Sequence, residues 1–240
     1  MKIPRQDADR TRKSLLAAAS ELFAERGYHD ATITEISERA KANIAAVNYH
    51  FGNKETLYKE AWRQSFHDSI KAHPPDGGVD GDASPEQRLA GRVTALLRRI
   101  TDKDNRAFLI VYKELANPTG LLEEVMQEEM RPLRQSIETM VREVLGPGNS
   151  ALQVRFCAIS IISQCVIPAV INMAEKPASN GDNDSWRVDD IDAYANHVFA
   201  FSVAGMGAIK RNTKKGTDTK KTVSHARRSA MVHGHATHKA

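Results

Sequence analysis

Asn48 carries a carboxamide, which offers a donor and an acceptor side by side, the pair a bidentate contact with adenine N6 and N7 requires. In a helical reading Ile44 and Ala45 lie four and three residues before it, on the same face, where they can pack on thymine methyls. That face is small and apolar for a solvated surface. Tyr49 and His50 follow directly, and Lys54 comes soon after. A phenol, an imidazole and an ammonium group thus lie close together at the junction of two helices. The expected target is a double-stranded site with an A·T-containing core.

Short helices must hold these groups. Thr32-Ile33-Thr34-Glu35 matches a capping box, in which the hydroxyl serves the N3 amide and the carboxylate returns to the cap amide. The helix it opens buries Ile33, Ile36 and Ala40. After Lys41-Ala42, Asn43 caps a helix running to about Phe51, with Val47 and Phe51 facing inward. Gly52-Asn53 breaks it, and a further helix runs from near Lys54 toward Lys71. Before them, Leu15, Leu16, Ala19, Leu22 and Phe23 form the stripe of a first helix that Gly27 stops. Helix, tight turn and helix over Thr32 to Lys54 is the helix-turn-helix arrangement, whose second helix enters the major groove.

The rest of the chain is also helical in period, and no alternating strand pattern stands out, so the fold class is all-α: an N-terminal three-helix helix-turn-helix domain and a C-terminal helical bundle. His73 to Pro85, rich in Pro, Gly and Asp, predicts a mobile link. Further helices are expected near Pro85–Thr101, Asn105–Ala116, Thr119–Leu145 with a bend at Pro132, Ser150–Ala174 and Asp189–Ile209. This predicts a DNA-binding domain over 8–68, a sensing and dimerisation domain over 85–210, and a disordered basic tail over 211–240.

The 240 residues carry a formal charge of +4. Lys210 to Ala240 holds nine basic residues against Asp218, so residues 1–209 carry a net −4. A mildly acidic body with a basic end and a cluster at Arg5, Arg10, Arg12 and Lys13 confines nucleic-acid contact to particular faces. Arg10, Arg12 and Lys13 can reach phosphates or the minor groove. No consecutive apolar run reaches the roughly 18 residues that span a membrane, and Met1 to Arg12 lack the apolar core of a secretory signal. A cytoplasmic protein without membrane contact is expected. Cys157 and Cys165, eight positions apart on one helix, would be about 12 Å apart, too far to pair, and read as reduced apolar fillers.

Asn43-Ile44-Ala45-Ala46-Val47-Asn48-Tyr49-His50-Phe51-Gly52-Asn53-Lys54-Glu55-Thr56-Leu57-Tyr58 resembles the TetR/AcrR signature around its recognition helix, in wording similar to the CecR-like branch. The resemblance covers roughly residues 8–60 and rests beyond them on Glu114-Leu115-Ala116-Asn117-Pro118-Thr119. It implies a DNA-contacting set of Thr32, Thr34, Asn43, Ile44, Ala45, Ala46, Asn48, Tyr49, His50 and Lys54, in which Tyr49, His50 and Lys54 clamp phosphates, positioning the protein without reading sequence, and Thr32 and Thr34 add hydroxyl or amide contacts on the other flank of the groove. It also implies a homodimer joined through its last two helices and a repressor released from operator DNA by a small-molecule effector. The family usually has glycine and then an apolar residue in the turn. This chain has Lys41-Ala42, so Lys41 is expected to take a positive φ.

An effector pocket would draw on Phe108, Tyr112, Met126, Met130, Gln164 and Met173, which mix flexible apolar bulk with a few polar groups. Ordinary core packing is the competing role for each. No Gly-rich phosphate loop, nucleophile elbow or familiar metal spacing appears, so neither an enzyme nor a cofactor or metal is expected. The tail's His225, His233, His235 and His238 are expected to stay solvated. Two rival readings are a small-molecule binding protein with a relic DNA-binding domain, and an enzyme of unrecognised type.

Overall fold

The computed structural model describes residues 5–174 and 185–211, and the predicted tail beyond Arg211, with its four histidines, lies outside them. Among the described residues the regular elements are all helices: α1 (Arg5–Asp30), α2 (Ile33–Arg39), α3 (Ile44–Phe51), α4 (Lys54–Ala72), α5 (Pro85–Thr101), α6 (Arg106–Ala116), α7 (Glu123–Leu145), α8 (Ala151–Ala174) and α9 (191–211).

The predicted boundaries follow from the caps. Gly27 (φ 81°) interrupts α1, and the Thr32–Glu35 capping box forms in full at α2. Asn43 Oδ1 accepts the Ala45 amide at 2.8 Å and Asn53 Oδ1 accepts the Thr56 amide at 2.8 Å. A second capping box, Ser84 with Gln87, opens α5 and places Pro85 in its first turn. One boundary differs. The helix expected from Thr119 begins at Glu123, because the Glu114 carboxylate takes the Thr119 amide (2.7 Å), the Thr119 hydroxyl (2.7 Å) and the Gly120 amide (3.0 Å), holding that stretch as a turn. Pro132 lies within α7, which continues through it as one helix.

Two apolar cores form. The first joins α1 to α4 with α6 and the start of α7, including Leu15, Phe23, Ile36, Val47, Phe51, Tyr58, Trp62, Ile110 and Val125. The second joins α5, the end of α7, α8 and α9 through Leu89, Leu97, Val141, Ile161, Cys165 and Val198. The first core therefore reaches across the composition break. The break itself is not a loose tether. Gly77 sits so close to α5 that a Cβ there would lie 2.3 Å from the Gly91 carbonyl oxygen, and the Arg92 guanidinium donates to the Pro75 carbonyl at 3.1 Å. The prolines and glycines there exclude helix, but they do not exclude contact.

α8 has no unbroken apolar run of 18 residues, since serines and Gln164 interrupt it, yet by length and composition it is apolar enough to cross a membrane, with a mean hydropathy of 2.0 over 18 residues, 39% of them buried within the chain. Cys157 and Cys165 are both free and buried in it.

The α2–α3 turn holds a strained residue. Lys41 is the non-glycine residue with positive φ (53°) among those described, and it occupies a Schellman-type end of α2: its amide donates to Glu38 O (3.0 Å) and the Ala42 amide to Ser37 O (2.9 Å). A Cβ in the left-handed region costs about 1–2 kcal/mol, against about 0.5–1 kcal/mol of extra chain entropy for glycine. Lys41→Gly is expected to raise unfolding stability by about 0.5–1 kcal/mol in urea denaturation; a loss of stability would show that the strain is relieved elsewhere.

Candidate nucleic-acid interface

α3 has eight residues, too few to be stable alone, and is fixed by what it buries. Val47 is 1% exposed and Phe51 5%, so the opposite side is fixed outward. There Ile44, Ala45, Asn48 and Tyr49 are exposed, with Ala46 and His50 half-buried at the edges. Tyr49, at 77% exposure, stands clear of the body, its ring edge-on to His50 with centroids 4.9 Å apart. A projecting apolar and carboxamide face bordered by a phenol and an imidazole suits the edges and rim of a duplex groove.

The flanking groups are held to different degrees. Thr34 is exposed. Thr32 lies at the surface, but its hydroxyl donates to Glu35 Oε2 (2.8 Å) and accepts the Glu35 amide (3.2 Å), so the cap already uses it. The Thr32 hydroxyl and amide, with Arg26, hold the Glu35 carboxyl below the usual range. Asn43 is likewise a cap, exposed at the head of α3.

Lys54 is half-buried, its ammonium 4.4 Å from the centre of the Tyr28 ring and 3.5 Å from the His29 carbonyl oxygen. Burial lowers its pKa, partly offset by Asp30. The Tyr28 face steadies this cation beside the first turn of α4. Sequence reasoning missed Tyr28. The signal available was an aromatic just beyond Gly27, where α1 ends near the start of α4.

The basic cluster at the start of α1 is not uniformly available. Arg12 pairs with Glu60 on α4 and stacks over Phe51, 5.2 Å from its ring centre. It braces α1 against α3 and α4. Arg10 pairs with Asp7 at 3.2 Å on the surface, while Lys13 is exposed. Arg39 forks onto Glu25 at 2.8 and 3.1 Å and pins α2 to α1.

The six pocket candidates fall in different places. Met126 and Met130 pack against the first core, and Phe108 and Tyr112 are half-buried on α6. Gln164 lines a groove of about 190 Å³ between α8 and α9 with Phe156 and Phe201, and Met173 is exposed near the end of α8.

Comparison with known proteins agrees with this architecture. A profile described as "Bacterial regulatory proteins, tetR family" matches residues 15–61, and one described as "HTH-type transcriptional dual regulator CecR, C-terminal domain" matches 85–206. The chain belongs to the TetR family. Its likeness to the NicS repressor of Pseudomonas putida is 43% identity over 53 residues, 22% of this chain and 25% of that protein. The SrpR regulator of Pseudomonas putida is 25% identical over 60% of this chain and 65% of its own length. The probable acrEF/envCD operon repressor of Escherichia coli K12 is 29% identical over 70% of this chain and 74% of its own length. Among solved structures, a TetR-like regulator from Rhodococcus sp. RHA1 superposes with a TM-score of 0.61 at 17% identity, over 86% of this chain and 99% of that one. FadR from Bacillus subtilis, solved in complex with stearoyl-CoA, gives a TM-score of 0.61 at 20% identity, over 80% and 98%.

For this TetR-family interface, Asn48→Ala is expected to cost about 1–3 kcal/mol of discrimination between operator sequences. Lys54→Ala is expected to weaken binding to all sequences alike and to reduce the slope of log K against log salt by about one. Electrophoretic titration at several salt concentrations separates the two, and equal effects of both changes on every sequence would contradict the division.

Proposed function

We propose that the protein is a cytoplasmic, ligand-responsive transcriptional repressor that binds double-stranded operator DNA as a homodimer and is released by a small molecule. The observation that carries this is the outward face of α3, where Ile44, Ala45, Asn48 and Tyr49 stay exposed because Val47 and Phe51 are sunk in the first core. In this reading residues 8–68 bind DNA and 85–210 sense the effector and dimerise. Asn48 reads adenine, Ile44 and Ala45 pack on thymine methyls, and Ala46 lies at the edge of the contact. Tyr49, His50 and Lys54 hold phosphates, with Asn43, Thr32 and Thr34 flanking.

An eight-residue reading helix contacts one half-site, and two copies spaced about 34–36 Å apart match successive major grooves. The outer side of α8 and α9 supplies a surface for pairing. Leu152, Phe156, Ile159, Ile167 and Phe201 are each more than half exposed there. Large apolar patches of that kind mark interaction sites. A second copy covering them would also bury the apolar side of α8.

The release step has a physical route. The first core unites the reading unit with α6 and the start of α7, so displacement of α6 by an effector moves α1 and α4 with it. Tyr58 on α4, fully buried, donates its hydroxyl to Glu114 Oε2 at 2.9 Å, while the other oxygen of that carboxylate holds the turn into α7. Burial and the Glu114 acceptor raise the Tyr58 pKa. A ligand changes DNA affinity only through its different affinity for the two arrangements.

Selecting fragments of genomic DNA with the purified protein at moderate salt is expected to recover a palindromic site, and absence of any sequence preference would refute the proposal. Phe156→Glu, a change at a surface position, is expected to leave the helical content intact while converting the protein to monomers in sedimentation and weakening operator binding at least tenfold. An unchanged dimer would place the interface elsewhere.

A further inference from the structure

α5 buries two arginines seven positions apart. Arg92 is 5% exposed and Arg99 8%. Seven residues are two turns less about 20°, so the two share a face of the helix, about 10.5 Å apart along its axis. Their surroundings differ. The Arg92 guanidinium donates to two backbone carbonyls, Pro75 at 3.1 Å and Leu133 on α7 at 2.9 Å. That ties α5 to α7 and uses its charge on neutral acceptors. Among the described residues, no carboxylate, carbonyl or aromatic ring engages the Arg99 guanidinium; the side-chain contact made to this residue is to its backbone carbonyl, by the Asn105 carboxamide at 2.7 Å.

A guanidinium has five N–H donors, and leaving them unpaired in the interior is among the costlier things a fold can do. The arrangement adds to that cost, because burial and the like charge of Arg92 push the Arg99 pKa down to about 10. At neutral pH the group is still a cation. Its nitrogens are also not sealed. The fully enclosed, unpartnered side-chain polar atoms among the described residues are Ser37 Oγ, Trp62 Nε1 and Ser202 Oγ, so the Arg99 donors keep a small contact with solvent. Leucine or methionine at this position would satisfy packing without that penalty. What the guanidinium adds is a planar fork that matches a carboxylate or a phosphate.

We propose that Arg99 anchors the effector, and that the effector presents an acidic group, carboxylate or phosphate, to it. This rests on the reading of the chain as ligand-responsive. Arg92, fixed between Pro75 and Leu133, contributes a second positive charge to the same face without moving. The anion neutralises the buried charge when it binds, and docking on α5 beside the α5–α6 turn puts the effector next to the helix that the first core links to α1 and α4.

Thermal unfolding of the full chain with octanoate, octyl phosphate and 1-octanol, three molecules that share a tail, tests this. At least one acidic probe is expected to raise the Tm saturably, by about 5 °C or more at a hundredfold excess over its Kd, with no such shift from octanol. The two acidic arms separate carboxylate from phosphate. Arg99→Met is expected to raise the Tm of the free protein and to abolish the shift, while Arg99→Lys keeps the charge, loses the fork and binds at least tenfold more weakly. If the methionine variant fails to fold, the lysine variant carries the test. An equal shift from octanol, an unchanged shift in both variants, or no shift from either acid overturns the proposal. Operator release is read separately: an acid that binds through Arg99 without releasing DNA refutes ligand-responsive repression and leaves the anion site standing.

Discussion

Everything at the DNA-facing end depends on α3 being held rather than folding by itself. An eight-residue helix is below the length at which a free helix is stable in water. Its shape comes from Asn43 at its head, Gly52 at its end, and two inward side chains, Val47 and Phe51, fitted into a core that α1, α2, α4, α6 and α7 also share. Arg12 lies over the outer side of Phe51 and is tied to Glu60, so the same aromatic is clamped from both sides. The freedom of Asn48 and Tyr49 to face solvent is the other half of this constraint. A helix with two apolar anchors on one side has no choice about what it presents on the other.

The same core explains why the DNA-facing part and the helical domain need not act as separate bodies. Phe23, Tyr58 and Tyr28 pack ring on ring, with Phe23 and Tyr58 centroids 4.7 Å apart and Tyr28 and Tyr58 5.0 Å apart. Tyr28 carries Lys54 on its face, and Tyr58 donates to Glu114, which organises the turn into α7. One chain of contacts therefore runs from a cation at the edge of the reading surface to the α6–α7 turn. It has two kinds of link, and they differ in what they transmit. Aromatic packing resists changes of distance, whereas the single hydrogen bond to Glu114 fixes direction.

Local chemistry made much of this legible in the sequence. The caps at Thr32, Asn43 and Asn53 fix helix starts through bonds of a few residues' span, so the residues alone locate them. The α3 face follows from period and from the two apolar positions. Lys41 was readable through the resemblance instead, because a lysine stands where the family usually has glycine. Contacts between distant segments were not readable. Nothing in the spacing of Tyr28, Lys54, Glu114 and Tyr58 reveals that they meet, and the Pro- and Gly-rich stretch read as a tether because its partners, Gly91 and Arg92, lie on another helix. The six pocket candidates show the same limit: composition selected side chains of the right type, but Met130 packs against the first core while Gln164 lines the groove between α8 and α9.

Arg99 shows how a position can be legible only by its cost. In the sequence it is one of two adjacent arginines near the end of a helix, Arg98 and Arg99, where cations favour the helix dipole. Arg98 follows that rule, staying at the surface and pairing with Asp192 at 3.0 Å. Arg99 is rotated by about 100° and so carried inward, where no carboxylate among the described residues meets it. Two neighbouring arginines thus divide between a surface role that geometry satisfies and an interior one that it leaves open. A fold that stays together despite such a group draws its stability from elsewhere, here from the two apolar cores on either side. The buried, unpaired fork is a constraint of the kind that an unfilled cavity is for shape. It also says more than a cavity can, because it specifies the sign of the charge and the geometry of the bonds.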